Sequence, residues 1–142
     1  MEAVLKRVQD LALAGKAGSG HWISIDTSEA LGGTNGASRP MELILMGLGA
    51  CSSMDVLSIL IKKRIRLDDY EVRMQADRAE DHPRVFKLIT MRFIFYGKDI
   101  PDEAVKQAID LSVTKYCSAY AMLSKTAEIR TEYEIAEKRE TE

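Results

Sequence analysis

One long helical pattern constrains the fold of this chain more than any other feature. From Met41 to about Arg64, apolar residues recur at spacings of three and four, which predicts an α-helix. About 24 residues at about 1.5 Å each make this helix roughly 36 Å long, as long as a small domain is wide. It is apolar around most of its circumference down to Ile61, so we expect it to be buried on most sides. A chain of 142 residues offers few other elements to surround such a helix, which favours a dimer.

The rest of the chain alternates between strand and helix patterns. The stretch from Ala3 to about Ala14 predicts one strand, and the glycine-rich run GGTNGASRP predicts a loop. The remaining elements are a strand in HWISID, a hairpin of YEVRMQADRAE and RVFKLITMRFIFYG, a helix in IPDEAVKQAIDLSVTKY, a short helix in SAYAMLSKTA and a strand in EIRTEYEIAE. Consecutive strands favour antiparallel pairing, so we predict an α+β fold. We expect a single domain over residues 1–142, with a frayed tail at 137–142.

Charge and cysteine content narrow the classes of partner. A net charge of −2 provides no basic stripe for phosphates, so we expect no nucleic acid partner. The basic run KKRIR suits the negative end of the long helix instead. We find no signal-peptide pattern and no run of 18 apolar residues, so we expect no membrane partner. Two cysteines do not make a disulfide framework, and we predict a cytoplasmic protein with reduced thiols.

The first cysteine, Cys51, lies within the long helix among unusually small residues. They are Gly47, Gly49, Ala50, Ser52 and Ser53. A glycine inside a helix costs about 1 kcal/mol, which is normally tied to the close approach of another backbone or of a ligand. Either Cys51 is a small buried hydrophobe, or the helix is thinned so that a ligand reaches its sulfur. The two serines could hydrogen-bond a thiolate or their own backbone.

The second cysteine, Cys117, opens a short helical segment. A helix N-terminus stabilises a thiolate and so favours a lowered pKa for Cys117, whereas a single cysteine of this kind is more often structural. Two cysteines on helical segments suggest a pair, although only the fold can bring them to disulfide distance. A metal site would have to draw on Cys51, Cys117, His21 and His82, which lack the local pairing of zinc ligands, so we predict no bound metal.

Two charged residues, Arg39 and Glu42, stand one turn apart at the start of the long helix. They could form a surface pair of small energetic worth or a charged lid over the thiol. Glu42 precedes Cys51 by nine residues, which places it on the opposite side of an ideal helix. A partner chain could still bring Glu42 close to the sulfur.

Three motifs together resemble the OsmC/Ohr superfamily of osmotically induced and organic-hydroperoxide-resistance proteins, in particular its YhfA-like branch. The motifs are SGHWISID, SRPMELILMGLGACSSMDV and DLSVTKYCSAYAML. The resemblance covers the chain from about residue 3 to 136. It implies an intertwined homodimer in which antiparallel sheets from both chains wrap around two long central helices.

The resemblance also implies a reaction. Cys51 would attack a hydroperoxide as a thiolate and become a sulfenic acid, and Cys117 would resolve it as a disulfide. An external dithiol would reduce that disulfide, and no bound cofactor is needed. The peroxidases activate their thiol with an N-terminal arginine and with a glutamate ten residues before the cysteine. Here Met41 occupies that glutamate position and Glu42 follows it.

The activating arginine is the second departure from the peroxidase pattern. No arginine lies between Arg7 and Arg39, so Arg39 is the candidate, with Arg78 or Arg84 as alternatives. The predicted function is therefore thiol-dependent reduction of organic or hydrogen peroxides by a homodimer. The alternative is a redox-sensing protein, or one that binds a small apolar ligand, on the same scaffold. A third interpretation leaves both cysteines as inert core residues.

Overall fold

A computed structural model describes residues 1–137 of the chain. The chain divides into two compact units, Met1–Ile44 and Leu45–Glu142, and we describe each by itself. The single-domain organisation therefore stays a prediction. The tail expected to fray, 137–142, lies outside the described residues except for Glu137.

The first unit contains a three-stranded antiparallel sheet in the order β1-β2-β3. The strands are β1 (Ala3–Gln9), β2 (Ala12–Ala17) and β3 (Trp22–Ile25). The prediction of one strand from Ala3 to Ala14 is wrong, because the chain reverses at Asp10 and pairs Gln9 with Ala12. Asp10 adopts a φ of 45°, a left-handed conformation that aspartate tolerates better than most residues, and so it makes a turn without glycine or proline.

The loop that follows β3 is organised by one buried carboxylate. Asp26 is only 3% exposed, and its Oδ2 accepts hydrogen bonds from the Thr34 hydroxyl (2.6 Å), the Thr34 N–H (3.0 Å) and the Gly36 N–H (3.0 Å). These donors, led by the Thr34 hydroxyl, hold the pKa of Asp26 well below its usual range. The predicted GGTNG loop is therefore an ordered structure around Asp26.

The long helix α1 spans Pro40–Lys62, close to the predicted range. Its buried residues are Leu48, Gly49, Ser52, Ser53, Val56 and Leu60. The expectation that α1 is buried on most sides is wrong for the single chain, because Met46 is 50% exposed and Met54 and Ile61 are each 71% exposed. By length and composition alone α1 could cross a membrane, which the sequence analysis did not anticipate. Core helices of water-soluble proteins pass the same test, so the absence of a membrane partner stays a prediction.

The second unit contains a mixed sheet in the order β4-β5-β6. The strands are β4 (Asp69–Arg78), β5 (Phe86–Tyr96) and β6 (Glu128–Ala136). The first two form the predicted antiparallel hairpin, but β6 runs parallel to β5, unlike the antiparallel pairing expected. A parallel neighbour needs a long crossover, and residues 97–127, with their helices, supply it. One face of the central strand forms the core, since Ile89, Met91, Phe93 and Phe95 are fully buried.

The crossover contains α2 (Asp102–Leu111) and α3 (Ser118–Leu123), joined by one wide turn at Ser112–Tyr116. The predicted helix up to Tyr116 therefore ends earlier, at Leu111. The turn is π-helical: the Cys117 N–H donates to the Ser112 carbonyl five residues back, at 2.8 Å. Ser112 is fully buried, and its hydroxyl lies within hydrogen-bond distance of the Ser52 carbonyl (3.3 Å) and of the Asp55 carboxylate (3.2 Å), both on α1. This turn sets where Cys117 lies.

Candidate functional site

The second unit brings the two cysteines together. Cys51 projects from the middle of α1, and Cys117 is the N-cap residue of α3. Their sulfur atoms and a carboxylate oxygen of Asp55 all lie within 4.8 Å of one another. Both cysteines are free thiols; Cys51 is partly exposed and Cys117 is buried. The sequence could name both residues but could not place them side by side.

The Cys117 sulfur is buried and lies beside two hydrogen-bond donors. It is 3% exposed, and Sγ accepts from the Ser52 hydroxyl at 3.1 Å and from the Tyr120 N–H at 3.3 Å. Burial raises the pKa of the Cys117 thiol, the two donors act in the opposite direction, and the neighbouring Cys51 adds to the increase. The expectation of a lowered pKa is therefore wrong: the helix N-terminus is present, but desolvation outweighs it.

Asp55 is the site residue that the sequence analysis missed. It follows Cys51 by four residues on α1, so both project from the same face of the helix, and that spacing was visible in the sequence. The Ser112 hydroxyl donates to Asp55 Oδ2 at 3.2 Å and so fixes the carboxylate. Asp55 also lines a groove of about 360 Å³ in the second unit. The other lining residues are Ser58, Ile59, Lys62, Lys63, Leu111 and Tyr116.

The small residues around Cys51 have separate explanations. A Cβ added at Gly49 would stand 3.2 Å from Met74 Sδ, so Gly49 lets β4 approach α1 closely. A Cβ added at Gly47 would meet no atom of residues 1–137 within 4 Å, so packing among these residues does not explain this glycine. Ser52 hydrogen-bonds the Cys117 sulfur, not Cys51.

The second serine of the pair, Ser53, contributes to the fold. Its Oγ accepts a hydrogen bond from the Tyr70 hydroxyl at 2.8 Å. Burial of the phenol raises the pKa of Tyr70 to about 12. Ser53 therefore ties α1 to β4 and, unlike Ser52, makes no bond to a thiol among the described contacts.

Arg39 and Glu42 lie in the first unit, where they pair with each other. The Arg39 backbone N–H donates to Glu42 Oε2 at 2.9 Å, and the Arg39 side chain donates to Asn35 Oδ1 at 3.0 Å. The Arg39 Nε lies 3.9 Å from Glu42 Oε1, and both side chains are about half exposed. These contacts cap the start of α1. Of the alternative arginines, Arg78 donates through Nε to the Arg84 carbonyl in the turn between β4 and β5.

Comparison with known proteins identifies the family. The profile of the OsmC-like protein family matches residues 33–132. Protein YhfA of Escherichia coli (strain K12) is 43% identical over 135 residues, which are 95% of this chain and 98% of YhfA. A hypothetical protein from Aquifex aeolicus VF5 has a crystal structure that superposes with a TM-score of 0.84 at 30% identity, covering 96% of this chain and 97% of its own. The organic hydroperoxide resistance protein OhrB of Bacillus subtilis shares the fold, with a TM-score of 0.62 at 18% identity over 94% of this chain and 98% of its own. The chain belongs to the OsmC-like protein family and has the mixed α+β fold of the OsmC and Ohr proteins.

Proposed function

We propose that the protein reduces organic or hydrogen peroxides through Cys51, with Cys117 as the resolving thiol. The observation that carries the proposal is the approach of the two sulfur atoms to within 4.8 Å, with Cys51 the more exposed of the two. A disulfide needs the sulfurs about 2.05 Å apart, a distance that side-chain rotation and a small backbone shift can supply. Membership of the OsmC-like family, which has hydroperoxide-resistance proteins among its structural neighbours, supports a peroxide-related redox role.

The proposed reaction has three balanced steps. The Cys51 thiolate attacks one oxygen of ROOH, the O–O bond breaks, and the alkoxide takes a proton and leaves as ROH. The Cys117 thiol then attacks the sulfur of the Cys51 sulfenic acid, forming the S–S bond and releasing water. An external dithiol reduces the disulfide and is itself oxidised. An oxygen of Asp55 lies within 4.8 Å of the Cys51 sulfur, close enough to receive the Cys51 proton through one water.

Serine variants of the two cysteines test this proposal. With cumene hydroperoxide and a dithiol donor, Cys51→Ser should lose turnover. Without the donor, Cys117→Ser should consume about one peroxide per chain and keep a sulfenic acid that dimedone traps, whereas the wild type forms the disulfide. Both variants preserve the size of the side chain, so circular dichroism should be unchanged. Turnover by Cys51→Ser at the wild-type rate would refute the proposal. The activating roles of Arg39 and Glu42 stay predictions.

We also propose that the protein acts as a homodimer. One side of α1 is exposed and carries only small or apolar residues at five positions. We call these residues the α1 stripe: Met46, Gly47, Ala50, Met54 and Ile61. At about 100° per residue they fall within an arc of about 100° on the helix. An apolar stripe of this kind is what a second copy would cover. Two cysteines in 142 residues do not form the disulfide framework typical of secreted proteins, which supports a cytoplasmic location.

The alternative function, binding of a small apolar ligand without peroxidase activity, is favoured by a second cavity. The sheet of the first unit borders a cavity of about 290 Å³, near the lower limit for ligand pockets. Its lining is mostly apolar and includes Val4, Leu5, Ile23 and Ile25, with His21 among the few polar members. If this were the function, Cys51→Ser would bind an apolar fluorescent probe as well as the wild type does and neither protein would consume peroxide.

A further inference from the structure

The Cys51–Asp55–Cys117 cluster has the composition of a metal site as well as that of a redox pair. Within residues 1–137 it is the one group of three metal-ligating side chains whose ligand atoms converge. Zinc binds at about 2.3 Å from sulfur and about 2.1 Å from oxygen, so ligand atoms of a tetrahedral site stand about 3.6–3.8 Å apart. The separations of up to 4.8 Å in the cluster reach these values with small side-chain movements.

Hydrogen-bond donors already orient two of the three ligands. The Ser112 hydroxyl holds the Asp55 carboxylate at 3.2 Å, and the Ser52 hydroxyl points to the Cys117 sulfur at 3.1 Å. The Tyr120 N–H makes a second bond to the same sulfur at 3.3 Å. Hydrogen bonds of this kind, made to the ligating residues and not to the metal, fix ligand geometry in metal sites and stabilise the anionic form of each ligand. These three contacts come from the same unit as the ligands, so the fold itself holds the Asp55 carboxylate and the Cys117 sulfur in place.

The charge and the softness of the three ligands determine which cation the cluster can bind. Two thiolates and one carboxylate carry three negative charges, which a divalent cation reduces to one. Lys62 and Lys63 line the same groove as Asp55 and offset part of the remaining charge. Two soft thiolate ligands favour zinc or cadmium over the hard cations magnesium and calcium. Three protein ligands leave the fourth tetrahedral position to water.

We propose that the reduced protein binds one soft divalent cation, such as Zn²⁺, through Cys51 Sγ, Cys117 Sγ and an oxygen of Asp55. Binding replaces the two thiol protons, which pass to solvent, and changes no oxidation state. A disulfide between the cysteines removes two of the three ligands, so cation binding and oxidation exclude each other. This binding does not depend on peroxide turnover and can be tested without it.

The test is a titration of the reduced, metal-free protein with Cd²⁺, followed by the ultraviolet thiolate-to-cadmium absorption band and by equilibrium dialysis. We expect one cadmium per chain, release of two protons per cation, and no competition from calcium or magnesium. Prior oxidation to the disulfide should abolish the band. A wild-type protein that binds no cadmium, or binds it equally well after oxidation, would contradict the proposal.

Two variants identify the third ligand. Asp55→Asn keeps the shape of the side chain but removes its charge. Losing a group that only hydrogen-bonds a metal ligand typically weakens metal binding about 10–100-fold, and Asp55→Asn should weaken cadmium binding by more than that. Asp110→Asn removes an exposed carboxylate from α2 and should bind as the wild type does. Equal affinity of Asp55→Asn and the wild type would overturn the assignment of Asp55.

X-ray absorption of the zinc-loaded wild type provides a readout that needs no variant. We expect two sulfur and two oxygen or nitrogen neighbours around the zinc. Four sulfur neighbours would indicate a site shared between chains and would overturn the proposal.

Discussion

The exposed methionine in the middle of α1 provides a direct test of the proposed dimer. Met54 is 71% exposed in the single chain. If the protein were a monomer, Met54→Glu would change stability by no more than about 0.5 kcal/mol, as surface substitutions usually do. If the α1 stripe packs against a second copy, the same substitution places a carboxylate in an apolar contact twice per dimer, once from each chain.

The structure sets the size of the effect. Complete burial of a methionine side chain contributes about 1.5–3 kcal/mol. Since 71% of the Met54 surface is still exposed in the single chain, covering it in a dimer would contribute about 1–2 kcal/mol. Two copies in a symmetric dimer give about 2–4 kcal/mol of association free energy. Since about 1.4 kcal/mol changes an equilibrium tenfold, the dissociation constant should rise about 30- to 1000-fold. The desolvation of the new carboxylate adds to this.

Sedimentation equilibrium of reduced protein over a range of concentrations measures the dissociation constant directly. Met122→Glu is the matched control, because Met122 is also helical, is 68% exposed, and lies outside the α1 stripe. We expect Met122→Glu to remain dimeric and Met54→Glu to dissociate, with the circular dichroism of both unchanged. A monomeric wild type, or equal dissociation constants for the two variants, would refute the argument.

Three further predictions concern stability. Tyr70→Phe should lower the free energy of unfolding by about 1 kcal/mol, because the hydrogen bond to Ser53 is lost. The pKa of Tyr70 in the folded protein is raised from 10.0 to about 12, so the stability that the neutral phenol contributes is complete below pH 10.0 and is lost as the pH rises toward 12. Denaturant titrations should show this loss in the wild type and not in Tyr70→Phe. Asp26→Asn should have a lower free energy of unfolding than the wild type at neutral pH. Because the pKa of Asp26 is lowered in the folded protein, the gap in unfolding free energy between the two proteins should shrink as the pH falls below 3.8. Gly33→Ala, whose Cβ would overlap a backbone carbonyl, should destabilise the protein by about 3 kcal/mol, whereas Gly18→Ala, which faces open space, should be neutral in thermal unfolding.

Local patterns allowed much of the fold to be predicted. The limits of α1 follow from apolar spacing and from Pro40 at its start, and the hairpin of β4 and β5 follows from alternation. The turn at Asp10 was missed because it uses a left-handed aspartate and not a glycine. The parallel pairing of β6 with β5 depends on the crossover, which no local pattern encodes.

The site was predictable in its residues but not in its environment. Cys51 and Cys117 stand out by motif, and the Cys-x-x-x-Asp spacing to Asp55 could have been noticed. The approach of the two sulfurs depends on the wide turn at Ser112–Tyr116, which only the structure reveals. The predicted direction of the pKa shift of Cys117 was wrong for a similar reason. The burial that raises this pKa depends on the whole fold, whereas the helix N-terminus that would lower it is a local feature.

The position of Cys51 relative to the α1 stripe explains how one site could use its two thiols unequally. Cys51 follows Ala50 and lies four residues from Gly47, so its side chain stands at the edge of the exposed arc, whereas Cys117 is buried behind α1 with Ser52 bound to its sulfur. A second copy on the stripe would therefore border Cys51 and leave Cys117 covered by its own chain. Gly47 is the stripe residue one turn before Cys51 on α1, so a side chain at this border between the two copies would narrow the approach to the Cys51 sulfur. On this argument Gly47→Leu should slow the first oxidation of Cys51 by bulky cumene hydroperoxide more than by hydrogen peroxide, and an equal effect on both would place that approach elsewhere.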